Sequence, residues 1–218
     1  MEKLDYSNAH HGSHRFRTIT VTGNGKLETK PDYAELQIEV RTESRDVSEA
    51  QRQNAAKMNQ VIQSLLALNI DRNDIQTSFY NVTPAYDYVE GKRIFRGYEV
   101  TNAITVKIRN ITEVGVVIDT AIKNGANAIS QLTFKLENEE NYYKGALQLA
   151  LQNANEKAQA LAVSLRLSHL PLAIEIVEES VSGPILYKTV AMSAETGSTP
   201  IEQGTIMIEA TLRVKYQY

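Results

Sequence analysis

The chain has 218 residues, of which 42% are hydrophobic and 22% are charged, and its formal net charge is −3. This composition is typical of a soluble globular protein with a sizeable core, and it gives no sign of a basic nucleic-acid footprint or a polybasic membrane patch. Because there is no cysteine, a disulfide, a thiol nucleophile and a thiolate metal site are excluded.

Residues 1–17 predict a disordered arm, since they are polar and show no hydrophobic period. The arm carries His10, His11 and His14, but without a carboxylate or a fourth ligand we predict no metal site there. It also lacks the apolar segment of a signal peptide, and no run in the chain reaches the roughly 18 apolar residues that span a bilayer. As written, the sequence predicts a cytoplasmic protein with no membrane span. Export or a cell-envelope location is the alternative if a leader is missing.

The first periodic segments after the arm alternate apolar and polar residues, as half-buried strands do. Thr18–Thr22 predicts a strand that Gly23-Asn24-Gly25 ends with a turn or bulge. Lys30-Pro31-Asp32 marks the next bend, and Ala34–Arg41 predicts a second strand with one face in water.

Asp46 and Glu49 have the spacing of a capping box and predict the start of a helix that ends near Asn69. Asn54 is the one polar member of its buried stripe, and we predict a side-chain hydrogen bond from it to a neighbouring strand. The stripe consists of Val47, Ala50, Asn54, Met58, Val61, Leu65 and Leu68.

Two strands, Ile75–Thr83 and Tyr98–Ile108, are predicted to flank a projecting hairpin of residues 84–97 that turns at Glu90-Gly91-Lys92. The hairpin bears aromatic residues with little around them to bury them. Exposed aromatics are enriched at protein interfaces, and folding back on the sheet is an equally weighted alternative. These residues are Tyr86, Tyr88 and Phe95.

The order strand, capped helix, loop and strand then occurs a second time. Asn110 and Glu113 repeat the capping-box spacing, Gly125 predicts the end of the helix, and Ala128–Leu136 predicts a strand. We therefore predict an internal strand-helix-strand repeat.

Residues 138–168 predict the longest helix, about 45 Å at roughly 1.5 Å of rise per residue. Its central alanines would let another backbone approach closely, so we expect it to lie across a sheet. The predicted buried stripe is Tyr143, Leu147, Ala150, Ala154, Ala158, Leu161 and Leu165.

After a strand at Leu172–Ile176, residues 180–203 predict a long loop, whose length implies either a functional or assembly role or disorder. The last strand, Thr205–Tyr216, alternates without interruption and is predicted to be central in its sheet.

Four segments of the chain resemble the SIMPL domain family, a domain of unknown function that includes bacterial periplasmic immunogens and oxidative-stress-defence-like proteins. They are ITVTGNGKLETKPDYAELQIEV (Ile19–Val40), DIQTSFYNVTPAYDY (Asp74–Tyr88), GYEVTNAITVKIRNITEVGVVIDTAIKNGANAI (Gly97–Ile129) and TPIEQG (Thr199–Gly204). The resemblance implies a curved antiparallel sheet with helices on one face, a tendency to form homo-oligomers, and links to stress or the cell envelope. It brings no catalytic residues.

We accordingly predict an α+β fold: a mainly antiparallel curved sheet of about seven strands with three helices on one face, in a single domain of residues 18–218. No triad, phosphate loop, dinucleotide fingerprint or metal-ligand set is present in the sequence. We predict a non-enzymatic self-assembling or protein-binding module without a cofactor, and no nucleic-acid partner. A small-ligand-binding protein or an unrecognised enzyme is the alternative. The candidate interface residues are Tyr86, Tyr88, Phe95, Ile185, Leu186, Tyr187 and Met192.

Overall fold

The computed structural model describes residues 17–179 and 199–218, and the backbone alone of residues 185–187. The fold is α+β, as predicted, with antiparallel pairing between neighbouring strands. The elements in chain order are β1 (Thr18–Thr29), β2 (Tyr33–Ser44), α1 (Val47–Ala67), β3 (Ile75–Val89), β4 (Lys92–Ile108), α2 (Val114–Lys123), β5 (Ala128–Lys135), α3 (Glu139–Ser164), β6 (Leu172–Glu178), β7 (Ile185–Tyr187) and β8 (Thr205–Gln217).

The described strands form two four-stranded sheets, where the sequence predicted one. One sheet has the order β1-β8-β6, with β7 also paired to β8, and the other has the order β3-β4-β2-β5. Alternation along a strand shows which side chains are buried but not which strand lies beside it. The number of sheets therefore had to come from the structure.

The chain divides into two compact units. The first unit comprises the described parts of Met1–Leu27, Glu140–Pro184 and Ile208–Tyr218, and the second comprises those of Glu28–Glu139 and Ile185–Met207. The interpretation of residues 18–218 as a single domain stays a prediction.

The second unit contains the predicted internal repeat. Its elements run β2-α1-β3 and then β4-α2-β5, and the sheet order β3-β4-β2-β5 places β4 between the two strands of the first half. This is the split strand-helix-strand topology of ferredoxin-like folds.

The core of the second unit lies between this sheet and the helices α1 and α2. Alternate residues of β2 and β4 are fully buried, as their period of two predicted. The core includes Leu36, Ile38, Val40, Ile104, Val106, Met58, Val61, Leu65, Val114 and Val117.

The starts of α1 and α2 differ, although their sequences have the same spacing. The Asp46 carboxylate accepts from the Glu49 N–H at 2.8 Å, which confirms the predicted cap of α1. The predicted capping box at Asn110 is wrong, because its side chain makes no cap and accepts instead from the Thr112 hydroxyl at 2.7 Å. A short 3₁₀ turn, Ile111–Glu113, precedes α2 and moves the helix start away from Asn110.

In the first unit, Gly23 and Gly25 lie inside β1, which continues unbroken to Thr29. The prediction of a turn that ends the strand at these glycines is wrong, and a bulge there stays a prediction. A Cβ added to Gly23 would lie 2.1 Å from the Ala150 carbonyl oxygen, and one added to Gly25 would lie 1.9 Å from that of Ala146. The glycines therefore permit close packing of β1 against α3.

The helix α3 turns its alanines, rather than its leucines, toward the interior. The buried residues are spaced four apart, and the predicted burial of Leu161 and Leu165 is wrong, since both are exposed. Alanine side chains allow α3 to approach β1 more closely than leucine side chains would. The helix is therefore rotated so that its alanines face the strand. The buried stripe consists of Ala146, Ala150, Ala154, Ala158 and Ala162.

Candidate interaction surface

The predicted projecting hairpin is present as a two-stranded ribbon of residues 84–97. The strand β4 pairs with β2 only from Tyr98 to Ile108, whereas its pairing with β3 continues to Lys92. Among the described residues, the two strands of the ribbon therefore pair only with each other.

The ribbon ends in a two-residue turn at Glu90 and Gly91, and the third residue of the predicted turn, Lys92, begins β4. Both residues have positive φ angles, 49° and 80°. Positive φ at both central positions gives a turn whose twist matches that of the paired strands. The sequence Glu-Gly thus closes a regular hairpin.

Two residues fix the base of the ribbon, and neither was a candidate site residue in the sequence. Arg96 lies at a register shift and forms ion pairs with Glu43 at 2.7 Å and Asp87 at 3.4 Å. The hydrogen bond to Glu43 raises the pKa of the Arg96 guanidinium. Gly97 is buried, and a Cβ there would lie 2.7 Å from the Ser44 carbonyl oxygen. A glycine beside an arginine at the hairpin base was the available signal in the sequence.

Three aromatic rings and one guanidinium form a cluster that includes residues of the ribbon and Tyr98 next to its base. The Tyr86 and Phe95 rings meet edge to face at 5.7 Å, and Phe95 meets Tyr98 in the same way at 5.3 Å. The Arg93 guanidinium lies 3.5 Å from the centre of the Tyr86 ring. Edge-to-face rings and cation–π contacts are attractive arrangements that order the side chains that make them.

Tyr88 differs from its two predicted companions. It is 74% exposed, and it makes no ring contact with the described residues. Val89 and Ile94, beside it at the end of the ribbon, are also exposed. The Tyr86 and Phe95 rings contact each other, although Phe95 is still 42% exposed, whereas Tyr88 presents its ring to solvent. An interface at these three residues stays a prediction.

The remaining interface candidates are only partly described. Ile185, Leu186 and Tyr187 form β7, which pairs with Met207, Ile206 and Thr205 of β8, so a short strand lies within the segment predicted to be a loop. Met192 lies outside the described residues, as do His10, His11 and His14.

The segment just before β8 is anchored to α2, a contact that sequence reasoning missed. The Asp119 carboxylate accepts from the Thr199 hydroxyl at 2.6 Å and from its N–H at 3.1 Å, and these bonds lower the pKa of Asp119. Ile201, two residues on, packs against the core of the second unit. Part of the predicted long loop is therefore fixed in place.

A match to a protein-family model identifies the family of this chain. The family model described as "SIMPL: Protein of unknown function (DUF541)" matches residues 19–216. The chain belongs to the SIMPL family. The resemblance drawn from the sequence is confirmed.

Similar SIMPL proteins occur in several bacteria. The chain is 28% identical over 210 residues to the 26 kDa periplasmic immunogenic protein of Brucella melitensis biotype 1, a match that covers 91% of this chain and 84% of the relative. It is 31% identical over 144 residues to the uncharacterized protein YggE of Escherichia coli strain K12, covering 66% of this chain and 58% of YggE. The YggE of Edwardsiella ictaluri is 26% identical over 145 residues.

The prediction of a cytoplasmic location is wrong. The relatives from Brucella melitensis and Brucella abortus, each matched over 91% of this chain, are named periplasmic proteins. The prediction depended on the absence of an apolar leader from the given residues, and that absence does not establish where a protein is located. No helix in residues 17–179 and 199–218 combines the length and apolarity needed to cross a bilayer.

The described part of this SIMPL chain offers few groups for chemistry. Within it, no three His, Cys, Asp or Glu side chains lie close enough to hold a metal ion. The first unit has a half-open niche of about 160 Å³ beside Tyr216, whose hydroxyl donates to Asn155 at 2.7 Å. Burial raises the pKa of the Tyr216 phenol, and this neutral hydroxyl already has its hydrogen-bond partner.

Proposed function

We propose that this SIMPL protein is an exported, non-enzymatic module that assembles with further copies of itself through the ribbon. The periplasmic names of the two Brucella relatives support export. The exposed ring of Tyr88 supports assembly and is the observation on which that part rests.

The ribbon has the physical properties of an assembly contact. Tyrosine supplies a large contact area with only two side-chain torsions to order, so its burial loses little conformational entropy. The turn at Glu90-Gly91, the Arg96 ion pairs and the ring cluster already order the strands that carry Tyr88. A preorganised surface loses less free energy on binding than a mobile one.

Light scattering coupled to size-exclusion chromatography tests the assembly. We expect the wild-type chain to have a mass that is a multiple of 24.4 kDa, and Tyr88→Ser to lower that mass. Tyr80→Ser is the matched control, because Tyr80 is an exposed tyrosine of β3 outside the ribbon. A monomeric wild type, or the same mass for Tyr88→Ser and the wild type, would overturn the proposal.

Cell fractionation tests the export. Osmotic shock of the source bacterium should release the protein together with periplasmic marker enzymes. Recovery only with cytosolic markers would contradict export and would leave the assembly result unaffected.

A further inference from the structure

The sheet of the second unit has an outer face, which lies opposite the face that α1 and α2 cover. Side chains of the outer face alternate along each strand with the buried ones. The register of the four strands arranges them in rows that cross the sheet. Three successive rows are Phe79-Ala103-Glu39-Ala128, Gln76-Thr105-Gln37-Gln131 and Lys107-Glu35-Thr133.

Every charged side chain in these three rows has an opposite charge beside it. A surface whose charges are already compensated gives an ionic ligand little electrostatic attraction. The outer face therefore fits a neutral ligand. The ion pairs are Glu39 with Arg41 at 2.7 Å, Lys107 with Glu137 at 2.7 Å, and Glu35 with Lys135.

Between these ion pairs, the outer face presents neutral amides and hydroxyls. The Gln37 Nε2 donates to the Ser78 hydroxyl at 3.3 Å and its Oε1 accepts from the Ser130 hydroxyl at 3.0 Å, so the centre of the second row is fixed within the protein. Thr105 and Gln131, on either side of Gln37, line a depression of about 50 Å³. Their side chains make no hydrogen bond with the described part of the chain, and an amide and a hydroxyl can both donate and accept.

A phenyl ring lies open to solvent in the first row. Phe79 is 49% exposed, and the residue beside it across the ladder, Ala103, is too small to cover its ring. The first and second rows are two residues apart along the strands, a distance of about 7 Å. The apolar ring and the polar depression are therefore close enough for one ligand to contact both.

We propose that the outer face binds a neutral oligosaccharide, with one sugar ring against Phe79 and its neighbour over the depression. A sugar ring has a face of C–H groups and a rim of hydroxyls. The C–H groups pack against the negative face of an aromatic ring, and the hydroxyls pair with the side chains of Thr105 and Gln131. This site is separate from the ribbon and does not rest on the proposed assembly.

A protein segment or a second copy of the chain fits this face less well than a sugar. Protein interfaces have an apolar centre from which charged residues are depleted, whereas Phe79 is the only large apolar side chain in the three rows. An apolar partner would also leave the Thr105 hydroxyl and the Gln131 amide buried without hydrogen bonds, which is costly. A ligand rich in hydroxyls satisfies them.

Titration of the ¹⁵N-labelled full chain with two neutral probes, chitotetraose and maltotetraose, tests the proposal by NMR. We expect at least one probe to give saturable shifts of the backbone amides around Phe79 and Gln131, with a Kd on the order of 1 mM or tighter. The absence of saturable shifts with both probes at about 10 mM would overturn the proposal.

Variants locate the site. Phe79→Ala should weaken binding of the sugar by about tenfold, equivalent to the loss of about 1.4 kcal/mol, and Gln131→Ala should weaken it by a smaller factor. Phe95→Ala is the matched control, because Phe95 is 42% exposed but lies on the ribbon. We expect Phe95→Ala to bind as the wild type does. Equal affinities of Phe79→Ala and Phe95→Ala would refute the assignment of the site to the outer face.

Other occupants of the outer face would give different results. Tighter binding of the anionic tetramer of galacturonic acid than of either neutral probe would contradict a neutral ligand. Shifts around Phe79 on dilution of the protein without sugar would assign the face to a second copy and overturn the proposal. Tyr88→Ser should leave sugar binding unchanged, so the failure of either proposal can be recognised without the other.

Discussion

Asn54 of α1 donates from its side-chain nitrogen to the carbonyl oxygen of Val40 on β2 at 2.8 Å. The same nitrogen also donates to the Val100 carbonyl on β4 at 3.1 Å. Asn54 is fully buried, so one amide joins the helix to the two central strands of the second unit. The predicted hydrogen bond from Asn54 to a neighbouring strand is confirmed.

Asn54→Ala should lower the free energy of unfolding by about 1 to 3 kcal/mol, because two buried carbonyl groups lose a donor that water cannot readily replace. Urea denaturation followed by circular dichroism measures this loss. Asn59→Ala is the matched control on the exposed side of α1, and we expect it to change stability by less than about 0.5 kcal/mol. Equal effects of the two substitutions would contradict the role assigned to Asn54.

Gly25→Ala should be among the most damaging single-methyl changes in the first unit. The new Cβ would lie 1.9 Å from the Ala146 carbonyl oxygen. The other atoms nearest to it also belong to the backbone of α3, so no flexible side chain could move aside. Overpacking typically costs about 1 to 3 kcal/mol, and we expect the upper end of that range or failure to fold. Thermal unfolding by circular dichroism provides the measurement.

Gly145→Ala is the control for this substitution. Its new Cβ would lie 3.0 Å from the end of the Leu27 side chain, which can rotate away, and alanine is favoured over glycine in a helix by about 1 kcal/mol. We expect the stability to stay equal or rise. A Gly25→Ala protein as stable as Gly145→Ala would mean that β1 and α3 do not pack as closely as described.

Tyr143 should ionise at unusually high pH. Its hydroxyl donates to the Glu178 carboxylate at 2.5 Å, and this bond raises the pKa of Tyr143 to about 12. A pKa raised in the folded state means that the bond stabilises the protein fully below the ordinary tyrosine pKa of about 10. That stabilisation is lost as the pH rises toward 12.

Difference absorbance at 295 nm between the wild type and Tyr143→Phe isolates this titration. Glu178→Gln should move the Tyr143 transition down toward its ordinary pKa, because the negative acceptor is removed. A Tyr143 transition that is already near pH 10 in the wild type would refute the bond between α3 and β6.

The sequence predicted those features of the fold that depend on residues close together in the chain. The alternation of β2 and β4, the Asp46 cap of α1 and the turn at Glu90-Gly91 follow from residues within a few positions of each other, and all were predicted. Asn110 has the same spacing as Asp46 but makes no cap, since the chain there enters α2 through a 3₁₀ turn.

The candidate surfaces were predicted less completely because exposure depends on distant parts of the chain. Tyr86, Tyr88 and Phe95 are equivalent in the sequence, yet only Tyr88 is without a ring neighbour among the described residues. The apolar residues of β6 were predicted as an ordinary strand. Whether such a strand is central or at an edge is decided by its neighbours.

The sequence by itself determined the α+β class, the repeated strand-helix-strand order and the family, because periodicity, caps and turn residues act over short distances. Only the tertiary structure decided that Gly23 and Gly25 lie inside a strand against Ala146 and Ala150, and that β6 is an edge. These features depend on pairs of segments more than a hundred residues apart or on the order of strands. No local pattern specifies which distant backbone will come within contact.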